Sequence, residues 1–281
     1  MGREGYIADD ALATAVYLAE GLGKPLLVEG DAGVGKTEIA KVMARVHKTE
    51  LIRLQCYEGL DVATALYEWN YPRQMLRVRM AEGEGKSAAE TEETVFGPSY
   101  LLERPLLRAL TRAAGPAVLL IDEIDRADEA FEAFLLEILS EFQVTIPELG
   151  TIRAAHRPHV LLTSNATREI GDALRRRCLY LYIDHPSLEK EVRILRSRVP
   201  EADEILAREI GRFVQALRAR RLVRSPGVAE SIDWAQALAR LHRSHLDAET
   251  VAATLGCVIK DRRDLLAADE VERLVEEAKA S

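Results

Sequence analysis

The chain has 281 residues, 48% of them apolar and 30% charged, with a net charge of −8 at pH 7. That length accommodates one large domain or two smaller ones with ample core. The acidic balance argues against a general nucleic-acid binder, which carries a basic surplus, and no apolar run approaches the roughly 18 residues of a membrane span.

At the N-terminus, residues 1–6 contain no apolar h-region, so no signal peptide is predicted, and position 6 is Tyr6 where myristoylation asks for Ser or Thr. Residues 25–29 form a short apolar run that reads as a buried parallel strand. Gly30-Asp31-Ala32-Gly33-Val34-Gly35-Lys36-Thr37 follows and fits G-x-x-x-x-G-K-[ST], the phosphate-binding loop of nucleoside triphosphatases. Its glycines let the backbone turn tightly and present successive N–H groups to phosphate oxygens. Lys36 can reach the β- and γ-phosphates, and the Thr37 hydroxyl can serve Mg²⁺. Ile39, Val42, Met43 and Val46 then recur at helical spacing, so a helix starts here with its positive N-terminus toward the phosphates.

Residues 51–55 are a second strand candidate. Residues 81–94 are acidic, small and glycine-containing, and are expected to be a mobile loop. Residues 117–121 form a third strand, ending in Asp122-Glu123. Asp122 would hold Mg²⁺, directly or through water, and Glu123 would activate the attacking water. The plainer alternative is a helix N-cap; with a phosphate loop in the same chain, the catalytic reading is preferred, since open α/β sheets bind ligands at strand C-termini.

Phe131, Phe134, Leu135, Ile138, Leu139 and Phe142 make a helical stripe. Residues 143–146 and 151–154 flank Pro147-Glu148-Leu149-Gly150, a hairpin with a four-residue turn. Residues 159–163 and 179–183 complete five strand candidates. After His185-Pro186 only helical patterns follow, with breaks near Pro200, Ser225-Pro226-Gly227 and His245. The alternation predicts a mostly parallel sheet covered by helices, then a helical domain. The expected boundary gives domains of 1–185 and 186–281.

Cys56, Cys178 and Cys257 are scattered without metal-ligand spacing, which points to a reducing, cytoplasmic setting. The basic stretch 218–224 reads as a solvated helix face. His156 and His159 lie near a strand start and His242 and His245 share a helical face, but no third ligand stands at a recognisable spacing, so no histidine metal site is expected. Trp69 and Trp234 read as packing residues.

These motifs, in this order, resemble the AAA+ ATPases, and more narrowly the MoxR family in its CoxD-like branch, associated with carbon monoxide dehydrogenase maturation. The resemblance rests on the loop at 30–37, on Leu119-Leu120-Ile121-Asp122-Glu123-Ile124-Asp125-Arg126-Ala127, on residues 134–146, on Thr163-Ser164-Asn165 and on Arg175-Arg176-Arg177-Cys178-Leu179. Tyr67-Glu68-Trp69-Asn70-Tyr71-Pro72-Arg73-Gln74 is typical of that branch. The resemblance implies a P-loop α/β fold with a five-stranded parallel sheet sandwiched by helices, followed by an all-α lid. It implies ATP and Mg²⁺, held by Asp31, Ala32, Gly33, Val34, Gly35, Lys36, Thr37 and Glu38, with Thr37 and Asp122 on the metal.

Asn165 takes the place of the sensor 1 residue, which orients the attacking water; its bland alternative is a turn residue. Arg177 occupies the position of the arginine finger, with Arg175 and Arg176 as alternatives. Relatives carry a sensor 2 arginine just after Ser-Pro in a lid helix; here Ser225-Pro226 is followed by Gly227, and Arg224 is the nearest substitute. The hairpin at 143–154 resembles the pre-sensor 1 insertion, and residues 61–94 occupy the helix 2 insertion. The implied function is an ATP-driven chaperone or remodelling motor. It would work as a ring, a hexamer, on a metalloenzyme client with a von Willebrand factor A domain partner. The alternatives are an ATP-gated scaffold with little turnover and a nucleic-acid motor, the latter disfavoured by charge.

Overall fold

The computed structural model describes residues 6–84 and 87–280. The chain divides into two compact units. One holds Asp10–Glu29 and Thr37–Tyr182; the other gathers the described residues before Asp10, the phosphate-loop segment Gly30–Lys36 and the chain from Ile183 onward.

In the first unit the strands are β1 (Leu26–Glu29), β2 (Leu51–Gln55), β3 (Tyr67–Trp69), β4 (Leu101–Glu103), β5 (Val118–Asp122), β6 (Gln143–Ile146), β7 (Gly150–Arg153), β8 (His159–Ser164) and β9 (Leu179–Tyr182). Five of them form a wholly parallel sheet in the order β2-β5-β8-β1-β9. The residue types follow position: β1 and β5 in the interior are buried along their whole length. The edge strands β2 and β9 alternate between inward apolar and outward polar or tyrosine side chains, as an edge with one solvated face requires. Helices Asp10–Leu22, Lys36–His47, Pro105–Thr111, Glu129–Glu141 and Asp172–Arg177 cover the sheet, and Leu106, Leu107, Leu119, Ile121, Leu135 and Ile138 form the middle of the core. Because every central strand runs the same way, Gln55, Asp122 and Ser164 all end at one edge of the sheet.

All five expected central strands are present, and the expected hairpin is the antiparallel pair β6–β7. Ile39, Val42 and Met43 face inward as their spacing demands, but Val46 at the helix end is exposed. The loop expected over 81–94 is corrected: helices Tyr71–Glu84 and Ala88–Val95 occupy it, and its residues 85–86 lie outside the described residues. The second helix starts because Ser87 accepts from the Glu90 amide while the Glu90 carboxylate accepts from the Ser87 amide, a capping box that outweighs the low apolar content. Gln74 donates to the Val95 carbonyl at 2.8 Å and ties the two helices together. The pair β3–β4, too short for a period-2 signal, closes this insertion at its base. There Trp69 packs edge-to-face on Phe96 with ring centroids 5.4 Å apart.

The second unit is helical among its described residues from Ile183 on: Leu188–Arg198, Glu204–Arg218, Val228–Arg240, Ala248–Thr254 and Ala268–Lys279. Ser187, Asp203 and Asp247 cap three of them through side-chain bonds to the first turn. Leu195, Phe213, Leu217, Trp234 and Val251 are fully buried at its centre, with the Phe213 and Trp234 rings 5.1 Å apart. The basic stretch 218–224 is not a uniformly solvated face. The Arg218 side chain is 8% exposed and donates to both carboxylate oxygens of Glu191, at 2.6 and 2.8 Å. Its Nε donates to the Pro226 carbonyl at 2.8 Å and Ser231 Oγ donates to Glu191 at 2.7 Å, so a charge pair that would be costly if unpaired is satisfied on every side. This network fixes the turn at Pro226-Gly227.

Candidate nucleotide site

The phosphate loop leaves β1 and runs into helix Lys36–His47. Lys36 is buried, and its ammonium donates to the carbonyls of Gly30 and Asp31, each at 2.6 Å, so the lysine side chain folds back across the loop. Asp31 and Ala32 are exposed and Val34 is buried. The Glu38 carboxylate lies along the helix near Lys41 and Arg45, each at 3.3 Å. Gly33 has φ 78°, the left-handed region open to glycine. Its carbonyl accepts from the amides of Val228 at 2.9 Å and Ala229 at 3.3 Å. The N-terminus of helix Val228–Arg240 therefore docks directly on the loop. A Cβ built on Gly227 would lie 2.7 Å from Gly33 Cα and 2.8 Å from the Ala32 carbonyl oxygen. The residue that departs from the sensor 2 pattern is thus the one that lets backbone meet backbone here. Arg224 is exposed, and its amide donates to Asp264 at 3.0 Å.

The carboxylate centre lies at the end of β5. Asp122 is 3% exposed. Its Oδ1 accepts from Thr37 at 3.1 Å and from Thr163 at 2.5 Å. Its Oδ2 accepts from Arg53 Nε at 3.0 Å and Nη2 at 2.6 Å. Thr37 and Asp122, expected to share a metal, are thus side by side, and both offer hard oxygen atoms of the kind Mg²⁺ prefers.

Glu123 adopts φ 56°, ψ 51°, a left-handed conformation that costs a non-glycine residue energy and persists only where its surroundings enforce it. The Thr163 hydroxyl enforces it, accepting from the Glu123 amide at 2.9 Å. The turned backbone brings the Glu123 carboxylate to Gln55 Nε2 at 3.2 Å, Arg126 Nε at 2.7 Å and Asn165 Nδ2 at 3.4 Å. Asn165, the expected sensor, therefore reaches the expected base.

The turn carrying Asn165 is clasped from below by Asp125. It accepts from the Asn165 amide at 3.2 Å and from the Thr167 amide and hydroxyl at 3.0 and 2.6 Å. Burial opposes ionisation of Asp125, but the bonds from Thr167 and Asn165 outweigh it and hold the pKa below the ordinary carboxylate value. Burial, reinforced by Asp122, Asp125 and Glu123, pushes the neighbouring Cys56 thiol up to about 12.

Of the three arginines on helix Asp172–Arg177, Arg175 pairs with Glu29 at 3.1 Å, and Tyr180 donates to the same carboxylate at 3.0 Å. Arg176 and Arg177 are exposed. Arg53 and Gln55 join the candidate site unexpectedly, and Asp125 and Thr163, both within the motif strings, had no role assigned. The polar alternation Arg53-x-Gln55 on an otherwise apolar strand is the signal for the first pair, and the motif strings are the signal for the second.

The AAA domain (dynein-related subfamily) matches residues 25–178. The chain belongs to this AAA family. An uncharacterised protein of Staphylococcus epidermidis is 24% identical over 203 residues, which span 70% of this chain and 69% of that protein. The gas vesicle ATPase GvpN of Haloferax mediterranei is 25% identical over 208 residues, spanning 71% of this chain but 58% of its own length. Among solved structures, a point variant of Thermotoga maritima RuvB superposes with a TM-score of 0.50 at 18% identity, covering 92% of this chain and 72% of that one. The strand order and the loop–carboxylate pairing of this AAA protein are those of a P-loop nucleotide-binding fold. Among its described residues, no helix is long and apolar enough to cross a membrane.

Proposed function

We propose that this AAA protein is an ATP-hydrolysing remodelling motor of the MoxR type, working as a hexameric ring. It would assist assembly or activation of a metal-containing enzyme with a von Willebrand factor A domain partner. The observation that carries the hydrolytic reading is Glu123: a strained backbone holds its carboxylate within reach of Asn165, one residue from a buried Asp122 already bonded to Thr37. Thr37 and Asp122 would hold Mg²⁺, which supplies charge neutralisation at the phosphates. Lys36 and the amides of residues 31–38 would bind the phosphates. Glu123 would take a proton from water oriented by Asn165. Arg177, exposed and on the last helix before β9, would complete a neighbouring subunit's site. The MoxR assignment and its client and partner rest on the motif resemblance.

The ATP-gated scaffold is the second reading. It is favoured by Arg126, 2.7 Å from the Glu123 carboxylate, since that ion pair must open before the carboxylate can meet a water. Steady-state ATPase assays with and without the partner separate the two readings, because only a motor turns over. The ring is tested by mixing two inactive variants, Arg177→Ala and Glu123→Gln. Some mixed interfaces pair an intact Glu123 with an intact Arg177 and should recover activity. A monomer with full, concentration-independent ATPase activity would rule out the trans-acting arginine.

A further inference from the structure

Where β8 begins, away from the strand C-termini that carry Asp122 and Asn165, three side chains from separate elements converge. Glu20 comes from the last turn of helix Asp10–Leu22, His47 ends helix Lys36–His47, and His159 opens β8. Their carboxylate oxygen and ring nitrogens all lie within 4.8 Å of one another. His47 Nε2 is 2.6 Å from Glu20 Oε1. The two imidazoles stack face to face, with centroids 4.5 Å apart and planes 13° from parallel.

We propose that Glu20, His47 and His159 form a zinc site, with two imidazole nitrogens and one carboxylate oxygen as ligands and water in the fourth position. The donor chemistry narrows the ion: imidazoles with a carboxylate suit zinc and its late first-row neighbours, not magnesium or calcium, which take oxygen ligands. The dimensions fit as well. Zinc–ligand bonds of about 2.0–2.2 Å in a tetrahedron place donors roughly 3.4 Å apart, and the set already lies within 4.8 Å; because a metal sits in the plane of each imidazole, one ring turns out of the stack on binding. Access is open. The His47 and Glu20 side chains are 32% and 25% exposed, and a cleft of about 360 Å³ borders Glu20 and His159. Two cations line that cleft, Lys24 and Arg157, and Arg157 lies over the Phe142 ring. Bound zinc would tie the ends of two helices to the first residue of a central strand. One of those helices begins at Lys36, so the ion would fasten the far end of the nucleotide helix.

The test uses the full chain without a histidine tag, titrated with zinc chloride and, separately, cobalt chloride, with no nucleotide present. One zinc per chain, the visible absorption of tetrahedral cobalt and a raised melting temperature are expected. His47→Ala, on the exposed side of the cluster, should abolish all three while leaving the zinc-free melting temperature near wild type. Glu20→Gln should weaken binding at least tenfold. His159→Ala should abolish binding too, and if it fails to fold, His47→Ala decides alone. Absence of zinc uptake at micromolar metal would overturn the proposal, as would uptake that survives His47→Ala, which would place the ion elsewhere.

Discussion

Replacing Gly227 by alanine isolates the contact between the phosphate loop and helix Val228–Arg240. Gly227 has φ −87°, so alanine meets no backbone penalty there, and the whole effect is steric. The new Cβ would lie 2.7 Å from Gly33 Cα and 2.8 Å from both the Ala32 oxygen and the Gly33 carbonyl carbon. These are backbone atoms that no rotamer change removes. Restoring an ordinary contact of about 3.4 Å needs a separation of roughly 0.7 Å, which stretches the Val228–Gly33 bond from 2.9 to about 3.6 Å and the Ala229 bond from 3.3 to about 4.0 Å, past hydrogen-bonding range. Two lost bonds at about 1 kcal/mol each, with overpacking of about 1–3 kcal/mol, put the cost at about 3–5 kcal/mol. Hydrogen exchange at the Val228 amide, with thermal melting, reads it. Gly256→Ala is the control, because nothing lies within 4 Å of its Cβ. The Val228 amide should lose protection and the melting temperature should fall in Gly227→Ala alone. Equal behaviour of the two variants, with Val228 still protected, would refute the direct docking of the helix on the loop.

Arg53→Ala should tighten Mg²⁺ binding in the presence of ATP about two- to fivefold, the value of a half-exposed ion pair to Asp122; weaker Mg²⁺ binding would show that Arg53 serves the nucleotide instead. Asp125→Asn should cost about 2 kcal/mol by urea melting, since bonds from Thr167 and Asn165 lose a charged acceptor. Because the folded pKa of Asp125 is depressed, its stabilisation is fully present above the ordinary carboxylate pKa and is lost as pH falls through the lowered value. The urea midpoint of wild type should therefore drop with acid more than that of Asp125→Asn. A native thiol titration at pH 7 should find Cys257 reactive, while Cys56 and Cys178, both pushed up to about 12 by burial, react only on unfolding.

The sheet was legible in the sequence because a buried parallel strand is a short apolar run bounded by turns, and each of the five runs became a strand within a residue or two. Lys36, Thr37, Asp122 and Glu123 were legible as candidates because local motifs encode them, and the fold sets Thr37 beside Asp122. Arg53, Gln55 and Thr163 were not, since their roles arise from pairing β2 with β5 and β5 with β8, which no local pattern announces. The helix Ala88–Val95 is not legible from composition, because it starts on the Ser87–Glu90 capping box and not on apolar periodicity. The Gly227 departure read as a missing arginine, whereas its meaning lies in a neighbour nearly two hundred residues away in the chain, Gly33. Glu20, His47 and His159 could not have been grouped, because three different elements bring them together.

The most direct test of the hydrolytic centre is steady-state phosphate release from ATP with Mg²⁺, measured for wild type and Glu123→Gln beside a nucleotide-binding titration of each. The expected result is measurable wild-type turnover, with Glu123→Gln binding ATP as well as wild type but turning over at least ~100-fold more slowly, the scale of a lost general base. Normal turnover by Glu123→Gln, or nucleotide binding without any turnover in wild type, would contradict the assignment of Glu123 as the base of an ATP-hydrolysing motor.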